Sequence, residues 1–395
     1  MIRKLRCEAA TIIIGAAIWT GCLSPVEAQN PQCPTRPLGD STNACASTAF
    51  VQNAVADIIP VAAACDGVTD DTTVIAAAIA AAPAGAKLQL PQGVCLVSGS
   101  GSAIFTLTKP VNIWGVGTTT STNGTTLAIA AGVPTTRDLF LITGVVDTTT
   151  RGYSFREFNV ISNGGGAVGK NVFHFDSTAG TTTNFAEVLI ERIFAQNLAS
   201  AGGSSVFLNN GIGTNTNGGQ FNFTIRLNFL GGGVKSSQTG DSIRIQDNII
   251  NTANAGVIIN QVSGAGNFQV IGNSLTAAAG GVVVNCGFFP IIAFNIFEQQ
   301  VTNTEANNSI IDFIGSCATI EGGAIIYNQI QSAASLGDPT LIRIAAASRV
   351  KIEGNRLGCP AAYVANIITA AATGTFFGRS NEIDVGCSAL LTDSS

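Results

Sequence analysis

A single histidine, His174, stands in 395 residues, so acid–base chemistry near neutral pH falls mainly to carboxylates helped by arginine or lysine. Cleaving a glycosidic bond usually needs two carboxyl groups about 5–9.5 Å apart. Removing a proton beside a carboxylate needs a base and a cation to hold the charge that develops. Asp312 and Arg343 come nearest to the second pattern, and Asp241 or Glu305 are the loop acids that could complete a pair. Asp241, Asp312 and Arg343 are therefore the catalytic candidates. Asp66, Asp70 and Asp71 form the densest acidic group, but the turn-forming CDGVTDDTT around them predicts that they close a turn and cap a helix. His174, between Phe173 and Phe175, is expected to pack or to lie incidentally on the surface. No acids cluster densely enough for calcium and no CxxC pair suggests zinc, so no metal and no other cofactor is expected.

These residues are set on a repeat. In IRIQDNII, residues 243–250, apolar side chains alternate and an asparagine follows three residues after the second of them. The pattern apolar-x-apolar-x-x-N-x-apolar returns with its sixth position at Phe158, Ile193, Asn228, Asn248, Asn273, Asn295, Asn328, Asn355 and Asn381, at intervals of 20 to 35 residues. A second series lies upstream of each: VFHF from Val172, VFLN from Val206, VKSS from Val234, VIIN from Val257, VVVN from Val282, IIDF from Ile310, LIRI from Leu341 and NIIT from Asn366. Two strand series marching in step with unequal loops predict a parallel β-solenoid. At ~25 residues per coil and ~4.8 Å per rung, about ten coils would stack into about 50 Å. The recurrent asparagines, Asn228 to Asn381, are expected to supply the left-handed turn residue and to stack as an internal amide ladder.

Outward positions of the first series then become the place to look for binding. They include His174, Asp176, Asn209, Lys235, Ser237, Asn260, Asn285, Asp312, Arg343 and Thr369. Amide and hydroxyl groups in rows suit sugar hydroxyls, which need both donors and acceptors; a merely solvated face is the alternative. Lys235, Asn260, Asn285, Asp312 and Arg343 are the substrate-binding candidates. On this reading Asp312 has Asn285 and Arg343 on its neighbouring rungs, and Asp176 lies five rungs off, about 24 Å away. No carboxylate pair is written on the face.

The N-terminus reads as a secretory leader: Arg3, Lys4 and Arg6, a short apolar core from Ala9 to Trp19, and an exit at Val26-Glu27-Ala28. The expected plan is a signal peptide over 1–28, a disulfide-pinned segment over 29–59 and the solenoid over 60–395. Eight of the ten cysteines follow the leader, and nearest-neighbour pairing would give Cys33–Cys45, Cys65–Cys95, Cys286–Cys317 and Cys359–Cys387. A formal net charge of −5, with no basic run, disfavours nucleic acid. It also means that an anionic ligand would need a local basic patch. No apolar run after the leader is long enough to span a bilayer.

Residues 65–97, with Asp66-Gly67, Thr69-Asp70-Asp71-Thr72, an Ala-rich helix to about Ala82 and Leu90-Pro91-x-Gly93, lead into Val111-Asn112-Ile113-x-Gly115-x-Gly117. This succession resembles the N-terminal signature of the pectate-lyase-superfamily right-handed parallel β-helix proteins, which include polygalacturonase-like enzymes and phage tailspikes. Val74, Ile75, Ala78 and Ile79 would form the helix's apolar face, and the segment would plug the first rung. The segment 41–55, STNACASTAFVQNAV, is similar to a stretch found in phage tail-fibre proteins. The resemblance implies an all-β, single-stranded right-handed parallel β-helix with a short capping helix, either monomeric or trimeric. Polygalacturonase-like enzymes carry an Asn-x-Asp, an Asp-Asp, a Gly-His-Gly and an Arg-x-Lys along successive rungs; here the only Asp-Asp is Asp70-Asp71, inside the N-terminal signature, and no Gly-His-Gly exists. The expectation is thus a secreted or periplasmic protein that recognises polysaccharide. A lyase or hydrolase with loop-supplied acids, and a structural surface protein of phage-like origin, are the alternatives.

Overall fold

The computed structural model describes residues 58–118, 123–143, 149–162, 170–177, 184–196, 203–209, 220–237, 240–252, 255–260, 266–277, 280–299, 309–314, 320–332, 340–345, 348–358, 366–370, 376–377, 380–383 and 390–393. The chain divides into two compact units, Met1–Ile58 and Ile59–Ser395, and the architecture below is that of the second. The leader and the segment up to residue 57 lie outside the described residues, as do Cys33, Cys45, Cys317, Cys359, Cys387 and the side chain of Cys286.

Three parallel ladders run through this unit. The first joins Ala103–Leu107, Asp138–Ile142, Asn171–Asp176, Ser204–Asn209, Val234–Ser237, Val257–Asn260, Val282–Phe288, Ser309–Phe313, Thr340–Ile344, Asn366–Ala370 and Leu390–Asp393, each paired to the next. The second runs from Lys87–Gln89 and Asn112–Trp114 through Ile243–Gln246 and Phe268–Ile271 to Phe376–Phe377. The third runs from Asp66–Asp70 and Gly93–Val97 through Ile249–Thr252 to Glu382–Ile383. Strands that recur once per coil and pair only in parallel make a β-helix. Backbone groups then find partners in the coils on either side, without hairpins.

The period-two alternation explains the core. Phe105, Phe140, Phe173, Val206, Val234, Val257, Val282, Ile311 and Ile342 form one inward column, and all are buried. Early coils fill the interior with rings: Phe140 stacks on Phe105 at 5.3 Å and on Phe173 at 5.6 Å. Later coils use β-branched residues, which suit a pleated surface.

In the middle coils, short strands of the second ladder are bracketed by residues with positive φ. Around Ile243–Gln246 these are Ser242 (φ 58) and Asp247 (φ 55). This corrects the expectation for the turn. The left-handed residue is the one before the asparagine, at Leu227, Asp247, Gly272, Phe294, Tyr327, Gly354 and Ser380. Asparagine does its work through its side chain instead. In Asn248, Nδ2 donates to Ile225 O of the preceding coil at 2.9 Å and to Asn273 Oδ1 of the next at 2.9 Å, and its backbone N–H donates to that same oxygen at 3.0 Å. The arrangement repeats from Asn228 to Asn355 and ends on Asn381. At the two earlier coils, Phe158 and Ile193 occupy the same turn position and are buried in the core.

The helix spans Thr72–Ala81, with Ile75 and Ile79 in the core, while Val74 is exposed rather than part of the apolar face. Asp71 stands at its N-cap but makes no side-chain cap bond. Its carboxylate instead accepts the N–H groups of Ala64 and Cys65 at 2.7 and 3.0 Å. Asp70 accepts the N–H of Thr72 at 2.9 Å, and Asp66 closes its own turn on Val68 and Thr69. The aspartates are structural, with the cap role moved by one residue. A disulfide joins Cys65 to Cys95.

Candidate functional site

Along the first ladder, Phe173, Phe175 and their equivalents point inward, so their neighbours point out. One outward row, given by the register, is Leu141, His174, Phe207, Lys235, Ile258, Val283, Asp312, Arg343 and Thr369. A second is Asp176, Asn209, Ser237 and Asn260, after which the register shifts and Asn260 meets Cys286. The register corrects two neighbours. Val283, not Asn285, precedes Asp312, and Asn260 belongs to the other row, where a bulge carries the pairing past Asn285 onto Cys286.

Asp312 and Arg343 come together, but as a closed pair. Arg343 donates Nε to Oδ1 at 2.8 Å and an Nη to Oδ2 at 2.6 Å, and Asp312 is 0% exposed. Burial pushes the Asp312 carboxyl up, while the hydrogen bonds and charge of Arg343 pull it back. Both oxygens are engaged, which suits a structural fork–fork pair better than a proton carrier. Asp241 is not brought to this pair. It lies in Gly240–Asp241, just before the second ladder, in the coil that carries Val234–Ser237, three coils before Ser309–Phe313. That separation is about 14 Å along the stack. Glu305 lies outside the described residues.

The other end of the row holds the richer chemistry. His174 Nδ1 lies 2.6 Å from Asp138 Oδ2, and both residues are 7% exposed. Asp138 Oδ1 accepts from Asn171 at 2.8 Å. The His174 ring stacks on Phe207 at 4.8 Å, and Lys235 Nζ lies 5.6 Å from the centre of the Phe207 ring. Beside them Ser237 donates to Asn209 Oδ1 at 3.0 Å, and Asn209 Nδ2 approaches Asp176 Oδ1 at 3.5 Å. His174 Nε2 is enclosed and has no hydrogen-bond partner among the described residues. An imidazole fixed by a carboxylate on one nitrogen and unpartnered on the other can accept or donate a proton there once a ligand reaches it. Lys235 adds a cation, and the amide–hydroxyl row adds donors and acceptors. Sequence reasoning missed Asp138. Its signal was DLFLI, one coil before NVFHFD, which aligns on Phe140 and Phe173.

Stacked parallel coils with three ladders define a right-handed parallel β-helix. Among solved structures, the chain is similar to the A-module of the mannuronan C-5 epimerase AlgE4 from Azotobacter vinelandii, at 16% identity and a TM-score of 0.51, over 85% of this chain and 97% of that one. It is also similar to the ORF18 protein of Geobacillus virus E2, at 13% identity and a TM-score of 0.47, over 84% of this chain and 63% of that one. The Dettilon tailspike protein aligns at 14% identity and a TM-score of 0.40, over 85% of this chain and 69% of that one. No protein-family model and no curated protein matches the chain. At such identities the likeness speaks to fold.

Proposed function

We propose that the protein is an exported β-helix that recognises or attaches to polysaccharide through the outer face of the first ladder. Residues 1–28 act as a leader removed on export, and the mature protein is a monomer or a homotrimer without nucleic acid as partner. The observation that carries the reading is the pair of adjacent rows Asp176–Asn209–Ser237 and His174–Phe207–Lys235, hydrogen-bonded or stacked from coil to coil. Polar groups repeating at the rung spacing offer successive sugar units the same donors and acceptors. None of the helices among the described residues is long and apolar enough to cross a membrane.

One observation favours a second, enzymatic reading: the Asp138–His174 pair with Lys235 one ring away. It supplies a base and a cation, the parts that a lyase acting beside a carboxylate requires. A single experiment separates the two. The protein is incubated with pectin, polygalacturonate and bacterial exopolysaccharides, following pull-down, reducing ends and unsaturated products together. Pull-down without products, lost in Lys235→Ala and Asn209→Ala, supports recognition. Unsaturated products lost in His174→Ala support the lyase. Neither signal on any polymer sinks both and leaves a structural surface protein.

A further inference from the structure

The second ladder also carries an outward stripe, on a different face from the first. Register places Trp114, Arg156, Glu191 and Arg226 in one row on four successive coils, and Lys87 one coil before and Arg244 one coil after in the adjacent row, two residues away on the same face. Lys87 and Arg156 each approach the Trp114 ring, at 5.2 and 5.1 Å from its centre. Glu191, 1% exposed, pairs with Arg156 at 2.5 Å and with Arg226 at 2.7 Å. Arg244 is exposed. Four cations therefore face one carboxylate along the stripe.

The acids around the stripe do not cancel that excess. At the turn after it, Glu157 is held by Arg192 at 2.7 Å, and at the turn before it, Glu187 by Arg151 at 3.2 Å. The Asp247 carboxylate, next along the corner, lies over Gly272 toward later coils. Nor are the arginines spent on Glu191: the side chains of Arg156 and Arg226 remain 28% and 40% exposed. In a chain of net charge −5, this is a basic patch that is invisible in linear order, because its members are scattered from residue 87 to residue 244.

We propose that this stripe binds an anionic polysaccharide, one carrying carboxylate or sulfate groups, at a site separate from the first-ladder face. Five rung steps make it about 24 Å long, which suits a polymer rather than a small ion. The charges stand in two adjacent rows of one face, Arg156 and Arg226 in one and Lys87 and Arg244 in the other, so a linear chain can lie between them with successive acidic groups in reach. Recognition here is by charge and guanidinium geometry, because the Trp114 ring already has two cations against it and offers no free platform for stacking. The same lack of stacking rings disfavours single-stranded nucleic acid.

The test measures retention of the intact protein on polygalacturonate, alginate, dextran sulfate and neutral dextran across a salt series. Retention on the acidic polymers alone, weakening as salt rises, is the expected result. Lys87→Gln and Arg244→Gln, both at the ends of the stripe and outside the Glu191 pair, should each weaken it roughly two- to fivefold. Glu191→Gln should strengthen it, with circular dichroism confirming the fold. Unchanged retention in the Lys87→Gln/Arg244→Gln double variant overturns the proposal, as does equal retention on single-stranded DNA. Loss of acidic-polymer binding in Lys235→Gln instead would assign it to the first ladder. Binding of neutral polymer lost only in Lys235→Ala would leave the first-ladder reading standing whatever the stripe does.

Discussion

The side-chain oxygen of Asn248 takes two hydrogen bonds from Asn228 in the coil before it, at 3.0 Å from the backbone nitrogen and 2.9 Å from the side-chain amide. The same amide of Asn228 donates to Ile190 O, one coil further back, at 3.1 Å. One residue thus ties three coils together at a turn where the strand ladders are interrupted. This explains why asparagine recurs there while Asp247 beside it absorbs the positive φ.

Removing a middle member should cost more than removing the last. Asn273→Ala strands the buried Asn248 N–H and Ile245 carbonyl, for a loss of about 2–4 kcal/mol. Asn381, half-buried with solvent as substitute partner, should cost about 1 kcal/mol on the same change. Urea unfolding of the two variants measures the gap. Equal losses would argue against a cooperative ladder.

Asp312 and Arg343 should behave as a closed pair. Asp312→Ala removes the two-pronged partner of a largely buried guanidinium and should destabilise by about 3 kcal/mol, whereas the double change Asp312→Leu/Arg343→Met should recover most of it. If the protein cleaves or modifies a polysaccharide, the double variant should retain turnover. Loss of turnover in a folded double variant would restore Asp312 as a catalytic candidate.

Glu191 predicts an acid dependence. Burial alone would raise its carboxyl, but hydrogen bonds and charge from Arg156, then Arg226, override this and hold it below the ordinary 4.5. A depressed acid stabilises the fold fully above its unfolded value and loses that contribution as pH falls through the folded one. The stability gap between wild type and Glu191→Gln, measured by urea unfolding, should therefore be constant from pH 7 to about 5 and shrink below 4.5. A gap that widens on acidification would mean that the arginines do not hold the charge.

Tyr153 offers a stabilising change. It is 1% exposed, and its hydroxyl has no hydrogen-bond partner among the described residues. Its ring sits edge-on to Phe175 and Phe185 at 6.2 and 6.1 Å. Tyr153→Phe keeps the ring and removes the unsatisfied group, so it should raise stability by about 1 kcal/mol. A drop in melting temperature would show that the hydroxyl has a partner after all.

Much of the architecture was legible in linear order. IRIQDNII and its repeats announce a short strand, a turn and another strand once per coil, because alternation and turn chemistry are local properties of the chain. Thr72–Ala81 and its cysteine neighbours were legible for the same reason. The turn itself was read one residue off, since both Asp and Asn tolerate positive φ and only the ladder of side-chain bonds decides which one must be free to point inward. Asp312 and Arg343 could be paired because their strands match in pattern. Asn285 could not be placed, because the register shift after Ile259 carries the pairing of Asn260 past it onto Cys286.

The sequence by itself determined that the chain coils, with an apolar side chain inward at every second strand position and asparagine at the corner. The tertiary structure alone decided what the outer faces present. Asp138 meets His174 across 36 residues, and six residues from Lys87 to Arg244 share one face in two adjacent rows. The reason is geometric. Inward positions are selected by burial, which leaves a period in the sequence. Outward neighbours are set by coil length and register, and unequal loops erase that regularity from the linear order.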